Sequence, residues 1–247
     1  MPEHEPGSGT ALDTRERGTN KEGQRIYLDR RLFMQLLVFD SNPGTQPAAL
    51  TADLEAALSK HKVPAVVYED VSNPRGLAVL SFSEDPGLFT GALRAALNEP
   101  RLLSLTLRTP LTMFGRSYSS GFENDLDYWL LRRPRETVLN PNWPWAVWYP
   151  LRRKGPFERL DPHEKGSIMR EHGGIGRSYA DSDLAHDVRL ACHGLDENDN
   201  DFVIGLIGKE LFPLSHVVHS MRSTRQTADF MEQMGPFFVG RAVFRTG

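Results

Sequence analysis

Residues 63–83 read VPAVVYEDVSNPRGLAVLSFS. VPAVVYEDV and LAVLSFS are apolar runs rich in valine and aromatic side chains, and the NPRG between them has the composition of a turn. The stretch is therefore two strands joined back to back, and the surroundings on its two sides read alike. Upstream, residues 48–61 (AALTADLEAALSKH) place Leu50, Leu54, Ala57 and Leu58 at helical spacing. Before them, RLFMQLLVFD is an apolar strand closed by the breaker SNPG. Downstream, DPGLFTGALRAALN reads as one helix. Asp85 suits its N-cap, Pro86 its first turn, and Leu88, Leu93 and Leu97 its apolar face. LLSLTLRTPLTMFGRSY then finishes as a strand. The order β-α-β-β-α-β is the ferredoxin-like unit, an antiparallel sheet with two helices on one face.

The order repeats further on. WAVWYPLR, DVRLACH, DFVIGLIG and PFFVGRAVFR read as strands, DPHEKGSIMREH and ELFPLSHVVHSMRS as helices, with Pro213 tolerable in a first turn. The fold class expected is α+β, with two ferredoxin-like halves. Residues 31–119 form the first half and 145–247 the second. Residues 120–144 are rich in charge, proline and tryptophan and read as a linker with one short helix near 124–132. Residues 1–30 are polar, carry both charges and read as a disordered lead-in without the apolar core of a signal peptide.

The chain has 247 residues, enough for one large or two small cores. Hydrophobic content of 39% and charged content of 25% are those of a globular protein. A net charge of −3 gives no reason to expect nucleic acid, and no apolar run reaches the ~18 residues of a membrane span. The single cysteine, Cys192, excludes an internal disulfide and fits a reducing cytoplasm. Within VRLACHG it reads as a small core residue.

Among eight histidines, His172 stands apart. Asp161 at the N-cap and Glu164 three residues on start its helix. Four residues after Ile168, His172 shares the apolar face and points inward. Gly173 reads as a left-handed cap that ends the helix. An inward imidazole is either a core histidine satisfied by a carbonyl or a ligand to metal or heme. No HExxH, CxxC or CxxCH spacing is present, and periodicity leaves both readings open.

Longer stretches narrow the choice. From Trp148 to Gly240 the sequence resembles the chlorite dismutase family, which includes the coproheme decarboxylases. The matches run in order through WYPLRRKGPFERLDPHEKGSIMREHGGIGRSYA, VRLACHGLDENDNDFVIGL, MRSTRQTADF and GPFFVG. That resemblance implies two ferredoxin-like halves in a dimeric α+β barrel, an iron porphyrin (heme b or coproheme) in the second half, and a ring-shaped homo-oligomer, a pentamer. His172, in the family's M-x-x-H-G helix end, matches the proximal iron ligand. Aligned on VRLACH and the Asp201-Phe202 strand start, Arg189 takes the distal position; alignment on GLD would put Asp187 there instead. A distal arginine resembles the chlorite-degrading branch.

Tyr149 points to the other branch. It opens YPLRRK, which resembles the Tyr-Pro-x-x-Lys of coproheme decarboxylases, where the tyrosine is the radical relay that oxidises the porphyrin propionates. Arg153 holds the family's lysine position with Lys154 beside it, and either could pair with a propionate. Gln226 stands where the chlorite-degrading branch has a glutamate hydrogen-bonded to the proximal histidine; it brings no charge and gives the iron less push. Phe157 stands where the family often has tryptophan. Trp143, Trp145 and Trp148 read as core or pocket walls. His186, His193, His216 and His219 match no family role. The resemblance thus implies a heme-dependent oxidoreductase using hydrogen peroxide on coproheme, or alternatively chlorite at heme b. A non-enzymatic heme-transfer protein on the same fold is the third class.

Overall fold

The structure, a computed structural model, describes residues 12–247. It opens with an antiparallel hairpin of β1 (Glu16–Thr19) and β2 (Arg25–Leu28). The first half follows as β3 (Phe33–Ser41), α1 (Pro47–Lys60), β4 (Ala65–Asp70) and β5 (Gly76–Ser83). It continues through two short helices, α2 (Gly87–Thr90) and α3 (Ala92–Leu97), to β6 (Leu105–Leu107) and β7 (Met113–Arg116). A π-helical turn at Tyr128–Arg132 runs into α4 (Arg133–Leu139) and connects the halves. The second half is β8 (Trp145–Arg153), α5 (Pro162–Asp181), β9 (His186–Ala191) and β10 (Phe202–Gly208). It ends with α6 (Leu211–Met221), α7 (Arg225–Phe230), β11 (Met231–Met234) and β12 (Phe238–Thr246).

Strand order confirms the ferredoxin-like reading of both halves. The first sheet runs β7-β3-β5-β4 and the second β12-β8-β10-β9, each with fourth, first, third and second strands in that spatial order. All neighbours are antiparallel. The sheets then join at both edges. Strands β4 and β12 pair over six positions, from Ala65↔Thr246 to Asp70↔Gly240, whereas β7 and β9 meet at one, Arg116↔Ala191. Eight strands therefore close into a barrel, with the β7–β9 side joined at that single position. β6 adds to β3, and β11 lies beside the far end of β8.

The period of two sorts the side chains. Met34, Leu36, Val38, Ala146, Trp148, Val188, Leu190, Val203 and Ile207 fill the barrel. Trp148 crosses the interior so closely to β10 that a Cβ on Gly205 would lie 2.5 Å from its ring, which is why that position has no side chain. Outward, Phe39, Val67, Leu77 and Val79 pack under Leu50, Leu54, Leu58 and Leu93 of α1 and α3. Leu54 and Leu58 are fully buried, each worth about 2 kcal/mol of apolar transfer. The outer face of the second half packs Val147, Tyr149, Leu151 and Leu206 against Ile175, Tyr179, Leu214 and Val217 of α5 and α6.

Five local expectations change. The lead-in expected over 1–30 contains the β1–β2 hairpin; residues 1–11 lie outside the described residues. Glu16 fastens the hairpin by ion pairs to Arg31 (3.0 Å) and Arg116 (3.1 Å), and Ile26 and Leu28 pack on the barrel core. Two apolar side chains in a polar stretch are too weak a signal for a strand. The linker over 120–144 is helical from 126 to 139, longer than the short helix expected. The helix expected from Asp85 breaks at Gly91 (φ −104°, ψ −99°) into α2 and α3, and the strand after it splits into β6 and β7. Finally, Gly173 does not cap α5, which runs eight residues further to Asp181.

Candidate functional site

The outer face of the second sheet carries the site. Cross-strand register places Tyr149 of β8, Ile204 of β10 and Arg189 of β9 in one row. Val147, Leu206 and Asp187 form the row on one side, and Leu151, Phe202 and Ala191 that on the other. These positions alternate with the barrel-filling residues, so all face the helix layer. From that layer comes His172. Asp161 accepts from the backbone N–H groups of His163 and Glu164, which starts α5. The helix then buries Ile168 and turns Ile175 and Tyr179 towards the sheet. His172 lies four residues after Ile168 and three before Ile175, on the same face.

One hydrogen-bond chain sets the tautomer of His172. The Thr224 hydroxyl donates to the Met221 carbonyl (2.8 Å) and caps α7 by accepting from Thr227 N–H. Its proton is thus committed, and it accepts from His172 Nδ1–H at 3.3 Å. Nε2 is left as the nitrogen with the lone pair. Burial, then the positive charges of Arg153 and Arg189, lower the imidazole's pKa to about 4. His172 is therefore neutral at physiological pH, as a metal-ligating imidazole must be. The resemblance puts Gln226 where the chlorite-degrading branch has a glutamate bonded to its histidine; in the structure the hydroxyl within reach of His172 Nδ1 is that of Thr224. Gln226 is 3% exposed, and its Oε1 has no partner among the described residues.

Arg153 ends β8 with its guanidinium between the rings of Phe157 (4.5 Å) and Phe202 (4.6 Å). Burial lowers its pKa, Nε has no partner among the described residues, and the nearest carboxylate, Glu158, stands at 3.8 Å. A shielded guanidinium so weakly paired has the chemistry to accept an anion. Lys154 differs: it is exposed, and its Nζ donates to the Asp229 carbonyl at 2.9 Å.

Tyr149 is 6% exposed and stacks on Phe237 (4.6 Å between centroids, 25° between planes). Burial and then the Asp187 carboxylate raise its pKa, against the pull of Arg222, so the phenol keeps its proton. Arg189, with 42% of its side chain exposed, holds Asp187 through Nε at 3.0 Å. Trp148 lies inside the barrel, Trp145 packs on the outer face, and Trp143 stacks on His186 at 3.6 Å. His186 pairs with Asp183, His193 with Asp201, and His216 with Tyr179. His219 neighbours His216 at 6.3 Å between ring centroids. Among the described residues no group of three or more His, Cys, Asp or Glu could hold a bare metal ion.

Three site residues escaped the sequence reading: Thr224, Tyr118 and Asp187 as an ionic partner. Tyr118 packs on Phe202 at 5.4 Å, and the charges of Arg189 and Arg153 act on its phenol. Thr224 carried a signal, since threonine before a helical run is an N-cap.

The residues present fit the iron porphyrin that the resemblance implies. A neutral imidazole of fixed tautomer comes from the helix layer, an underpaired buried guanidinium suits a carboxylate, and Ile204, Phe202 and Leu206 supply an apolar floor. Fold and site together define a two-lobed antiparallel barrel in whose second half the His172 imidazole, from the helix layer, lies on the side of the sheet that carries Arg189 and Tyr149. The chain belongs to the chlorite dismutase family, whose model matches residues 56–243. Among similar solved structures is a heme-binding protein from Thermus thermophilus, with 18% identity, 88% of this chain and 92% of that chain covered, and a TM-score of 0.70. Another is the chlorite dismutase from Candidatus Nitrospira defluvii in complex with imidazole, with 14% identity, 86% and 91% covered, and a TM-score of 0.69. At such identities the likeness is one of fold. No curated protein matches the chain in sequence.

Proposed function

We propose that the chain is a heme-dependent oxidoreductase that decarboxylates coproheme with hydrogen peroxide. The observation that carries this reading is on strand β8. Tyr149 and Arg153 are four residues apart and face the same way, so a protonated phenol and an underpaired guanidinium share one wall about 13 Å apart. His172 Nε2 would ligate the iron, and Arg153 would hold a propionate carboxylate of the substrate. When bound, the iron porphyrin supplies the oxidising power released from peroxide. Tyr149 Oη would give up its hydrogen atom to the peroxide-derived oxidant, which ends as water, and regain one from a propionate chain. Per propionate, R–CH2CH2–COO⁻ + H2O2 + H⁺ gives R–CH=CH2 + CO2 + 2 H2O. Two electrons leave the chain as the C–C bond to the carboxylate breaks. Arg189 steers the oxidant from the sheet side.

A second reading is chlorite conversion to chloride and O2 at heme b. It is favoured by Arg189, a cation fixed by Asp187 and open to solvent, which suits an anionic oxidant. Against it stands Thr224, which offers His172 a neutral oxygen where a carboxylate would push charge onto the iron. The test is the product mass after coproheme and then peroxide. The expected result is loss of two CO2 with conversion to heme b, blocked in Tyr149→Phe although coproheme still binds. Rapid O2 release from chlorite, with Tyr149→Phe silent on every substrate, would establish the second reading.

A further inference from the structure

We propose that Asp187 is the positioning residue for Arg189, gripping the arginine so that its outer nitrogens are held ready for an oxidant or anion at the iron; this rests on the heme reading above. Residues 187 and 189 are two apart on β9, hence on one face of the sheet. Each oxygen of the Asp187 carboxylate has its own guanidinium. Oδ2 forms an ion pair with Arg189, Nε lying at 3.0 Å, and Oδ1 accepts a hydrogen bond from Arg133 Nη2 at 2.6 Å. Arg133 Nη1 also donates to the Asp187 carbonyl at 2.8 Å, so backbone and side chain are clamped from one direction. Arg133 is itself fixed, with 17% of its side chain exposed and its guanidinium 5.0 Å from the Trp129 ring centroid. The chain Trp129–Arg133–Asp187–Arg189 therefore runs from the helical connector to the sheet face of the site.

The ion pair is closest at Nε, which leaves both Nη atoms of Arg189 for a ligand. An unheld arginine would have to be ordered at each binding event, whereas this one is ordered beforehand. Partial burial pushes the Asp187 carboxyl up, but Arg189 and Arg133 pull it further down, to below the usual carboxylate range. The clamp is therefore charged under ordinary conditions.

Fluoride binding to the ferric, heme-loaded protein tests this without turnover. Asp187→Asn is expected to weaken fluoride about tenfold in the parent and less than about twofold in an Arg189→Gln background, because a residue that acts through Arg189 loses its effect when Arg189 is gone. Stronger fluoride binding in Asp187→Asn, or the same change in both backgrounds, would overturn the proposal, since the carboxylate would then act by its own charge. Arg189→Lys keeps the charge and the partly exposed strand position but has a single nitrogen, unable to hold Asp187 and reach the ligand together. It too is expected to lose about tenfold, and parent-like binding would overturn the proposal even if Asp187→Asn fails to fold. Two controls belong to the underlying reading: His172→Ala must disturb heme binding, and Arg189→Gln must change fluoride affinity. If either is without effect, that reading falls and the proposal with it. If both behave as expected and only the coupling is missing, Asp187 alone has been misassigned.

Discussion

Thr224 does two things with one hydroxyl: it caps α7 and it accepts the Nδ1 proton of His172. Valine at this position removes both. Thr224→Val is expected to cost about 1 kcal/mol of stability through the lost cap and to weaken heme binding about 10–100-fold through the lost support of the ligand. Thr224→Ser should restore both, as thermal melts and heme titration will report; unchanged heme affinity in the valine variant would contradict the assignment. His172 itself gives a pH signature in the heme-free protein. Above pH 6.5, its ordinary pKa, the imidazole is neutral folded or unfolded and adds no pH dependence. Between 6.5 and about 4 the unfolded chain takes a proton that the folded site refuses, so stability falls as pH falls through that window. Below about 4 both states are protonated and the slope ends. An NMR titration of the His172 ring should find its midpoint near 4, and a midpoint near 6.5 would contradict the burial. The inward direction of His172 was legible from its spacing to Ile168. Its partner was not, because that bond spans 52 residues and depends on how α5 and α7 dock.

Among the elements, α5 departs most from what its sequence suggests. Three glycines follow His172 within four residues, and a glycine after a helical run normally signals an end. The helix continues because its inner face does: Ile175 and Tyr179 keep the register of Ile168 and His172, and Tyr179 reaches His216 and Ser220 of α6. Tertiary contact outweighs the propensity cost, about 1 kcal/mol per interior glycine. Gly173 has no positive φ, and a Cβ there would meet nothing within 4 Å. Gly173→Ala should therefore raise the stability of the heme-free protein by about 0.5–1 kcal/mol in denaturant melts; a decrease would mean that the helix does end at this point. Strands were easier to read than helix ends, because an apolar run such as residues 33–39, closed by a breaker, is written locally. The hairpin at Glu16–Leu28 was illegible for the opposite reason. Its anchors, Arg31, Arg116 and Ser119, come from elsewhere in the chain.

For the whole molecule, the repeated β-α-β-β-α-β order was visible in the sequence, whereas closure of two sheets into one barrel rests on edge pairings between residues far apart along the chain, such as Asp70↔Gly240. No helix among the described residues is long and apolar enough to cross a membrane. The ring-shaped homo-oligomer implied by the resemblance is a matter for light scattering. A mass of several chains is expected for the heme-loaded protein, and a monomer at micromolar concentration would contradict it. The barrel's two seams carry a further consequence. One is stitched at six positions and the other at Arg116↔Ala191 alone. A closed ring yields first where it is thinnest, so native-state hydrogen exchange should find the amides of β7 and β9 released ahead of those of β4 and β12. Strand β9 carries Asp187 and Arg189, so breathing of the thin seam would loosen the arginine's footing while the helix that bears His172 stays folded.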